Sequence, residues 1–252
     1  MRAPVLLIIL VLTAGSARAG ETACRFERGA IVVPAAFGDI AGDFVLDASA
    51  PKSQLHLTVA ESWGMTAPSA RASLRLAGER LTGFEIEIAD LDARSRLFTA
   101  GLAGVIGADV LDGFVTQIQT SPCRVRLSRT GLRRASIRLL MRRVDGIYAV
   151  RAAISDGATS RMGWFAIDTG SPGVKVADAR LTRNPPTGGD ADWPPARLRA
   201  LSLGGLLFEQ IPAGLIPNAP PDLAGSIGEV VWSRYRMRLD PARGWLELSP
   251  MR

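Results

Sequence analysis

The chain carries one pattern twice, 121 residues apart, and this repeat limits the folds open to it more than any other feature. Phe44 and Asp47 in "DFVLDASAP" fall on Phe165 and Asp168 in "WFAIDTGSP". Gly104, Ile106, Gly107 and Phe114 in "LAGVIGADVLDGF" fall on Gly225, Ile227, Gly228 and Tyr235 in "LAGSIGEVVWSRY", and "VRLS" (125–128) falls on "LELS" (246–249). In each copy 60 residues separate the Asp from the Gly of the Ile-Gly pair. Elsewhere the copies drift: "GFEIEI" (83–88) resembles "LFEQIP" (207–212) at a shift of 124, which places a small insertion in the second copy, the Pro/Gly-rich "RNPPTGGDADWPP" (183–195). Three separated anchors at one shift mark a tandem duplication of units of about 105 residues. Each unit alone has a modest core. Packed about a pseudo-two-fold axis, the units set equivalent residues face to face, and Asp47 meets Asp168.

The local pattern is that of a mostly-β protein with short helices. "AIVV", "DFVLD", "LRLAGERLTGFEIEIADL", "VTQIQT" and "CRVRLS" are short β-prone or alternating runs. Phe84, Ile86 and Ile88 point inward and Glu85 and Glu87 outward if that segment is a strand. "VLDGF" and "VVWSRY" each read as a short helix after the Ile-Gly turn, and "TVAESWGM" as a helix or an extended run.

With 47% hydrophobic and 21% charged residues, the chain is not disordered. Residues 1–19, "MRAPVLLIILVLTAGSARA", have an early Arg, an apolar core and a small-x-small ending, the pattern of a secretory signal rather than a membrane span. No later segment is long and apolar enough to span a bilayer. The expectation is therefore a periplasmic or secreted protein with lobes at 20–128 and 144–252 and a linker at 129–143. Removing the signal leaves a net charge of +4, too mild to imply an acidic partner. Cys24 and Cys123 are the only cysteines, and in an exported chain they read as one disulfide, the alternative being two buried thiols.

Asp168 closes a buried-looking apolar run, where a carboxylate needs hydrogen bonds or a partner. Thr169, Gly170 and Ser171 follow it with two hydroxyls and a backbone free to take φ > 0. An apolar run, then Asp-Thr-Gly-Ser, then an apolar-apolar-Gly segment some 60 residues on, closed by a β-ribbon, resembles the pepsin- and retropepsin-like aspartic proteases. The likeness covers both halves, about 26–128 and 147–249, and is closest to a single-chain, exported, bacterial-type duplication of retropepsin-like lobes.

The resemblance implies a two-lobed acid-protease fold in which Asp47 and Asp168 share a proton and hold a water for peptide hydrolysis. Close carboxylates cannot both ionise cheaply, so one stays protonated over a useful range. The resemblance also implies that Thr169 locks the opposite loop, that Gly170 and Ser171 complete the cradle, and that the segments ending at Gly107 and Gly228 support the two Asp loops. The first copy departs from the pattern, with Ala48 and Ser49 where Thr and Gly are expected. Ala48 lacks the interlobe hydroxyl, and Ser49 is strained if its φ is positive. A flap over the cleft is expected in "RLAGERLTGF" (75–84). Two readings follow: an aspartic endopeptidase, or a catalytically impaired relative that binds a peptide or an envelope component. A monomer is expected, because one chain already holds both halves.

The remaining residues carry less. His56 is the sole histidine, so a Ser-His-Asp or metal site is hard to build, and no cofactor or metal is expected. Asp90 and Asp92 read as a solvated loop, and the Arg-rich run 129–143 as a solvated linker face rather than a nucleic-acid site. Most of the five Trp are core candidates.

Overall fold

The computed structural model describes residues 20–129, 137–182, 196–216 and 219–251. The leader 1–19, about half of the linker (130–136) and the insertion 183–195 with Trp193 lie outside the described residues.

The first half contains β1 (Glu21–Ala23), β2 (Arg25–Glu27), β3 (Ala30–Phe37), β4 (Ile40–Leu46) and β5 (Gln54–His56). Helix α1 (Leu57–Ser62) follows, then β6 (Ser69–Leu76), β7 (Glu79–Ala89), α2 (Asp92–Ser95), β8 (Gly104–Ile106), α3 (Ala108–Leu111), β9 (Val115–Thr120) and β10 (Cys123–Ser128). The second half contains β11 (Ile137–Val144), β12 (Ile147–Ser155), β13 (Ser160–Ile167), β14 (Val174–Val176), β15 (Ala196–Leu203), β16 (Leu206–Leu215) and β17 (Leu223–Ile227). It ends with α4 (Glu229–Trp232), β18 (Tyr235–Asp240) and β19 (Trp245–Pro250).

In the first lobe the strands run in the order β2-β3-β4-β8-β5-β7-β6, and a β3–β6 pairing closes them into a barrel. The second repeats this as β11-β12-β13-β17-β14-β16-β15, closed by β12–β15. The alternation read in 84–88 holds: Ile86 is buried while Glu85 and Glu87 are exposed. Both expected helices after the Ile-Gly turns form, as α3 and α4.

An antiparallel sheet, β1-β10-β9-β18-β19-β11, joins the lobes. At its centre Gln117 pairs with Arg238, its own counterpart 121 residues on, so the pseudo-two-fold axis passes between them. Cys24 and Cys123 form a disulfide across 99 residues, tying the start of the first barrel to this sheet. Part of the Arg-rich run is strand β11, where Arg138 pairs with Glu247 and Arg142 lies over the Trp164 ring. Trp232 is fully buried as expected, but Trp63, in the turn after α1, is 55% exposed.

Packing explains why the repeat keeps the residues it does. β4 runs parallel to β8, placing Phe44 beside Gly104, and β13 parallel to β17, placing Phe165 beside Gly225. A Cβ on Gly104 would meet the Phe44 ring at 2.7 Å and the Gln54 carbonyl oxygen at 2.2 Å; one on Gly225 would meet the Lys175 carbonyl oxygen at 2.1 Å. Gly107 and Gly228 face the Asp loops as closely, with would-be contacts of 2.6–2.8 Å to the Lys52 and Ala50 carbonyls and 2.2–2.5 Å to the Gly173 and Ser171 carbonyl oxygens. Contacts this short exclude any side chain.

Candidate active site

Each candidate Asp sits just after a buried strand that a second strand supports. The Asp47 N–H donates to the Ile106 carbonyl and the Asp168 N–H to that of Ile227, both at 2.9 Å. The Ala108 N–H donates to Ala50 O at 2.8 Å and the Glu229 N–H to Ser171 O at 2.9 Å. Asp47 and Asp168 are 5% and 4% exposed and line one interlobe cleft of about 440 Å³.

The loops interlock through Thr169. Its buried hydroxyl donates to the Leu46 carbonyl at 2.7 Å and accepts from the Ala48 N–H at 3.0 Å. Ala48, buried at the equivalent place, returns no such bond, so the lock is one-sided. Removing the hydroxyl orphans one buried acceptor and one buried donor. Thr169→Val is therefore expected to lower unfolding stability by about 2–3 kcal/mol, and Thr169→Ser to keep most of it. Urea denaturation checks this; a Val variant as stable as the parent would show that the lobes are held without the lock.

Ser49 is not among the residues with positive φ, so the strain expected there is absent. Its N–H and hydroxyl both donate to Asp47 Oδ1, at 2.9 and 2.6 Å. Gly170 is not left-handed either. Close approach is what requires glycine here, since a Cβ would stand 2.2 Å from Arg94 Nη2 and 2.5 Å from Asp47 Oδ2. The Gly170 N–H donates to Asp168 Oδ1 at 3.1 Å, so this residue touches both carboxylates' surroundings.

Each carboxylate has its own cation, which the sequence reading did not anticipate. Arg94 Nη2 donates to Asp47 Oδ2 at 2.7 Å and to the Gly170 carbonyl at 3.2 Å. Lys175 Nζ lies 3.3 Å from Asp168 Oδ2, which also accepts from the Ser171 and Ser226 hydroxyls. Burial opposes ionisation of Asp47, but the Arg94 guanidinium and the Ser49 donors outweigh it and hold the carboxyl below its ordinary value. Lys175 lies seven residues after Asp168, within reach of a sequence argument, whereas Arg94 comes from a loop helix with no counterpart among the described residues of the second copy.

That helix, α2, has its own anchors. Asp92 Oδ1 lies 3.2 Å from His56 Nε2, and Asp90 Oδ1 accepts the Asp92 N–H at 2.8 Å. Asp90 and Asp92 are thus anchors of the Arg94 helix, not only a solvated loop. The segment from α2 to Phe98 walls the cleft, contributing Ala93, Arg94, Leu97 and Phe98. The β6–β7 hairpin expected to act as a flap does not line it; its tip, Ala77–Gly78, borders a depression with Glu21, Thr22 and Pro34.

Behind the second loop lies Glu229, 1% exposed, with no hydrogen-bond partner for either carboxyl oxygen among the described residues. Ala108 holds the equivalent place in the first copy. Burial, and then the charge of Asp168, push the Glu229 carboxyl well above its ordinary value. A raised folded-state value gives stability that is complete below the unfolded pKa and lost as pH rises through the folded one. Asp47 acts in the opposite sense, giving stability above its unfolded pKa that is lost as pH falls through its depressed folded value. Glu229→Gln is expected to raise stability at pH 7 relative to the parent and to lessen the fall from acid to neutral pH. Melting temperatures at pH 4, 5.5 and 7 check this; parallel curves for parent and variant would contradict it.

No protein-family model matches the sequence, and no curated protein matches it. Among solved structures, the aspartic proteinase from Irpex lacteus is similar over 92% of this chain and 97% of its own, with a TM-score of 0.58 and 11% sequence identity. That likeness shows a two-lobed acid-protease fold.

Proposed function

We propose that the chain is an exported peptide hydrolase whose interlobe cleft holds a water between Asp47 and Asp168. The observation that carries this reading is the pairing of two buried Asp loops on one cleft, cross-locked by Thr169. The fold supports a peptide as the occupant. The Cys24–Cys123 disulfide supports an oxidising compartment, and no helix among the described residues is long and apolar enough to cross a membrane.

In this reading Asp168 takes a proton from the water as its oxygen bonds to the scissile carbonyl carbon. The Arg94 guanidinium beside Asp47 stabilises the negative charge that develops on the carbonyl oxygen, the task for which a shared proton would otherwise serve. As the C–N bond breaks, the proton held by Asp168 passes to the leaving nitrogen. With Arg94 against Asp47 and Lys175 against Asp168, each carboxylate has a cation beside it, and cleavage is expected to extend to neutral pH.

A second reading is favoured by one contact. The Arg94 guanidinium bridges Asp47 and the Gly170 carbonyl on the cleft floor, which suits a site that binds a peptide without cutting it. A peptide library incubated with the folded protein, with Asp168→Asn alongside, separates the readings. Cleavage lost in the variant supports hydrolysis, and binding without cleavage supports the second reading.

A further inference from the structure

Three basic side chains, Arg28, Arg94 and Lys175, line the cleft against two carboxylates, Asp47 and Asp168. Arg94 is engaged by Asp47 and Lys175 by Asp168. Arg28 is the one left over: it is exposed, and its guanidinium has no ion pair or hydrogen bond among the described residues. The cleft therefore presents one uncompensated positive charge beside its two Asp loops.

Arg28 is also placed there by the fold. It lies in the turn between β2 and β3 with φ 52°, followed by Gly29 at φ 72°. Left-handed backbone costs a residue with a Cβ about 1 kcal/mol, and Asn or Gly fits it better than Arg. The turn is fastened on both sides. A Cβ on Gly29 would stand 2.3 Å from Pro172 Cβ, and the Ile31 N–H donates to the Thr169 carbonyl at 3.1 Å, which together seat it on the Asp168 loop. Glu27 Oε1 accepts the Thr99 N–H at 2.6 Å, tying it to the segment that bears Leu97 and Phe98. The backbone is that of an ordinary two-residue hairpin turn, shared by Ala77-Gly78 and Asp145-Gly146; what points to a ligand is the unpaired cation that this anchored turn holds at the cleft.

We propose that Arg28 determines specificity, and that the cleft takes peptides presenting a carboxylate to it, with an apolar neighbour against Leu97 and Phe98. This rests on the reading of the cleft as a peptide site. The carboxylate comes from an Asp or Glu side chain or from a free chain end, and a guanidinium serves either.

The test is binding of labelled eight-residue peptides to the full chain by fluorescence anisotropy. One has a central Leu-Glu and an amidated end, one a central Leu-Gln and an amidated end, and one Leu-Gln with a free carboxylate. At least one carboxylate peptide is expected to bind about tenfold tighter than the amidated Leu-Gln peptide. Tight binding of the first assigns a side chain, and of the third a chain end. Arg28→Asn, which suits the left-handed turn, is expected to erase the preference, and Arg28→Lys to retain part of it. Equal binding of all three peptides, no binding of any, or a preference that survives Arg28→Asn would overturn the proposal. Cleavage without carboxylate preference sinks this inference alone; Arg28-dependent binding without cleavage sinks the hydrolytic reading alone.

Discussion

On the proposed hydrolytic reading, Asp168→Asn is expected to lower kcat/KM for peptide cleavage by about 10²–10⁴-fold, the range that follows removal of a general base. The side chain keeps its size: its one oxygen still accepts from the Gly170 N–H, while the Ser171 and Ser226 hydroxyls, which donate to the other carboxylate oxygen, turn to accept from the amide NH2. What it loses is the negative charge facing Lys175 and the ability to accept a proton from water. Peptide affinity is expected to change far less than turnover, because Asn still fills the cleft floor. The measurement is kcat/KM with one cleaved peptide, beside anisotropy with the same peptide. A variant that cuts within threefold of the parent would remove Asp168 from the chemistry.

Replacing Cys24 and Cys123 together by Ser lowers unfolding stability by up to about 4.7 kcal/mol, the chain-entropy value for a closed loop of roughly 100 residues. The native bridge spans 99 residues, nearly the whole first lobe. Such a loss is a large fraction of the 5–15 kcal/mol typical of a folded domain. The folded geometry survives it, since β1 keeps its pairing with β10 from Glu21–Arg126 to Ala23–Arg124 and the Cys24 N–H still meets the carbonyl at position 123. Urea unfolding of the Ser pair checks this, with the parent in reductant as a second arm. Stabilities within about 1 kcal/mol of each other would show that the unfolded chain gains little freedom when the bridge opens.

The two-lobed architecture was legible because its anchors are residues that packing does not allow to change. Phe44 over Gly104 and Phe165 over Gly225 are ring-on-backbone contacts, and Gly107 and Gly228 lie against the carbonyls of the Asp loops. The facing of Asp47 and Asp168 followed from the same repeat, and the Thr169 lock from the family resemblance, since the repeat sets Ala48 against it. Arg94 did not follow, since it sits in a loop helix that the described residues do not repeat in the second lobe, 47 residues from its partner, and no spacing rule links them. Glu229 was hidden by its neighbours: it replaces Ala108 in an otherwise matching segment, and sequence gives no sign that a carboxyl there is buried without a partner. The misplaced flap has a similar cause. A hairpin pattern fixes which strands pair, but not which side of the barrel its tip faces. For Ser49, close approach decides the matter: Gly170 has no room for a Cβ against Arg94 and Asp47, whereas the Ser49 hydroxyl donates to Asp47 Oδ1.

The most direct test of a cleft whose carboxylates are balanced by cations is the pH dependence of peptide cleavage from pH 3 to 8, measured on folded parent and Asp168→Asn proteins together. The account predicts cleavage by the parent that persists at pH 7 and is lost in the variant. No cleavage by the folded parent at any pH, or cleavage equal in the two proteins, would contradict it.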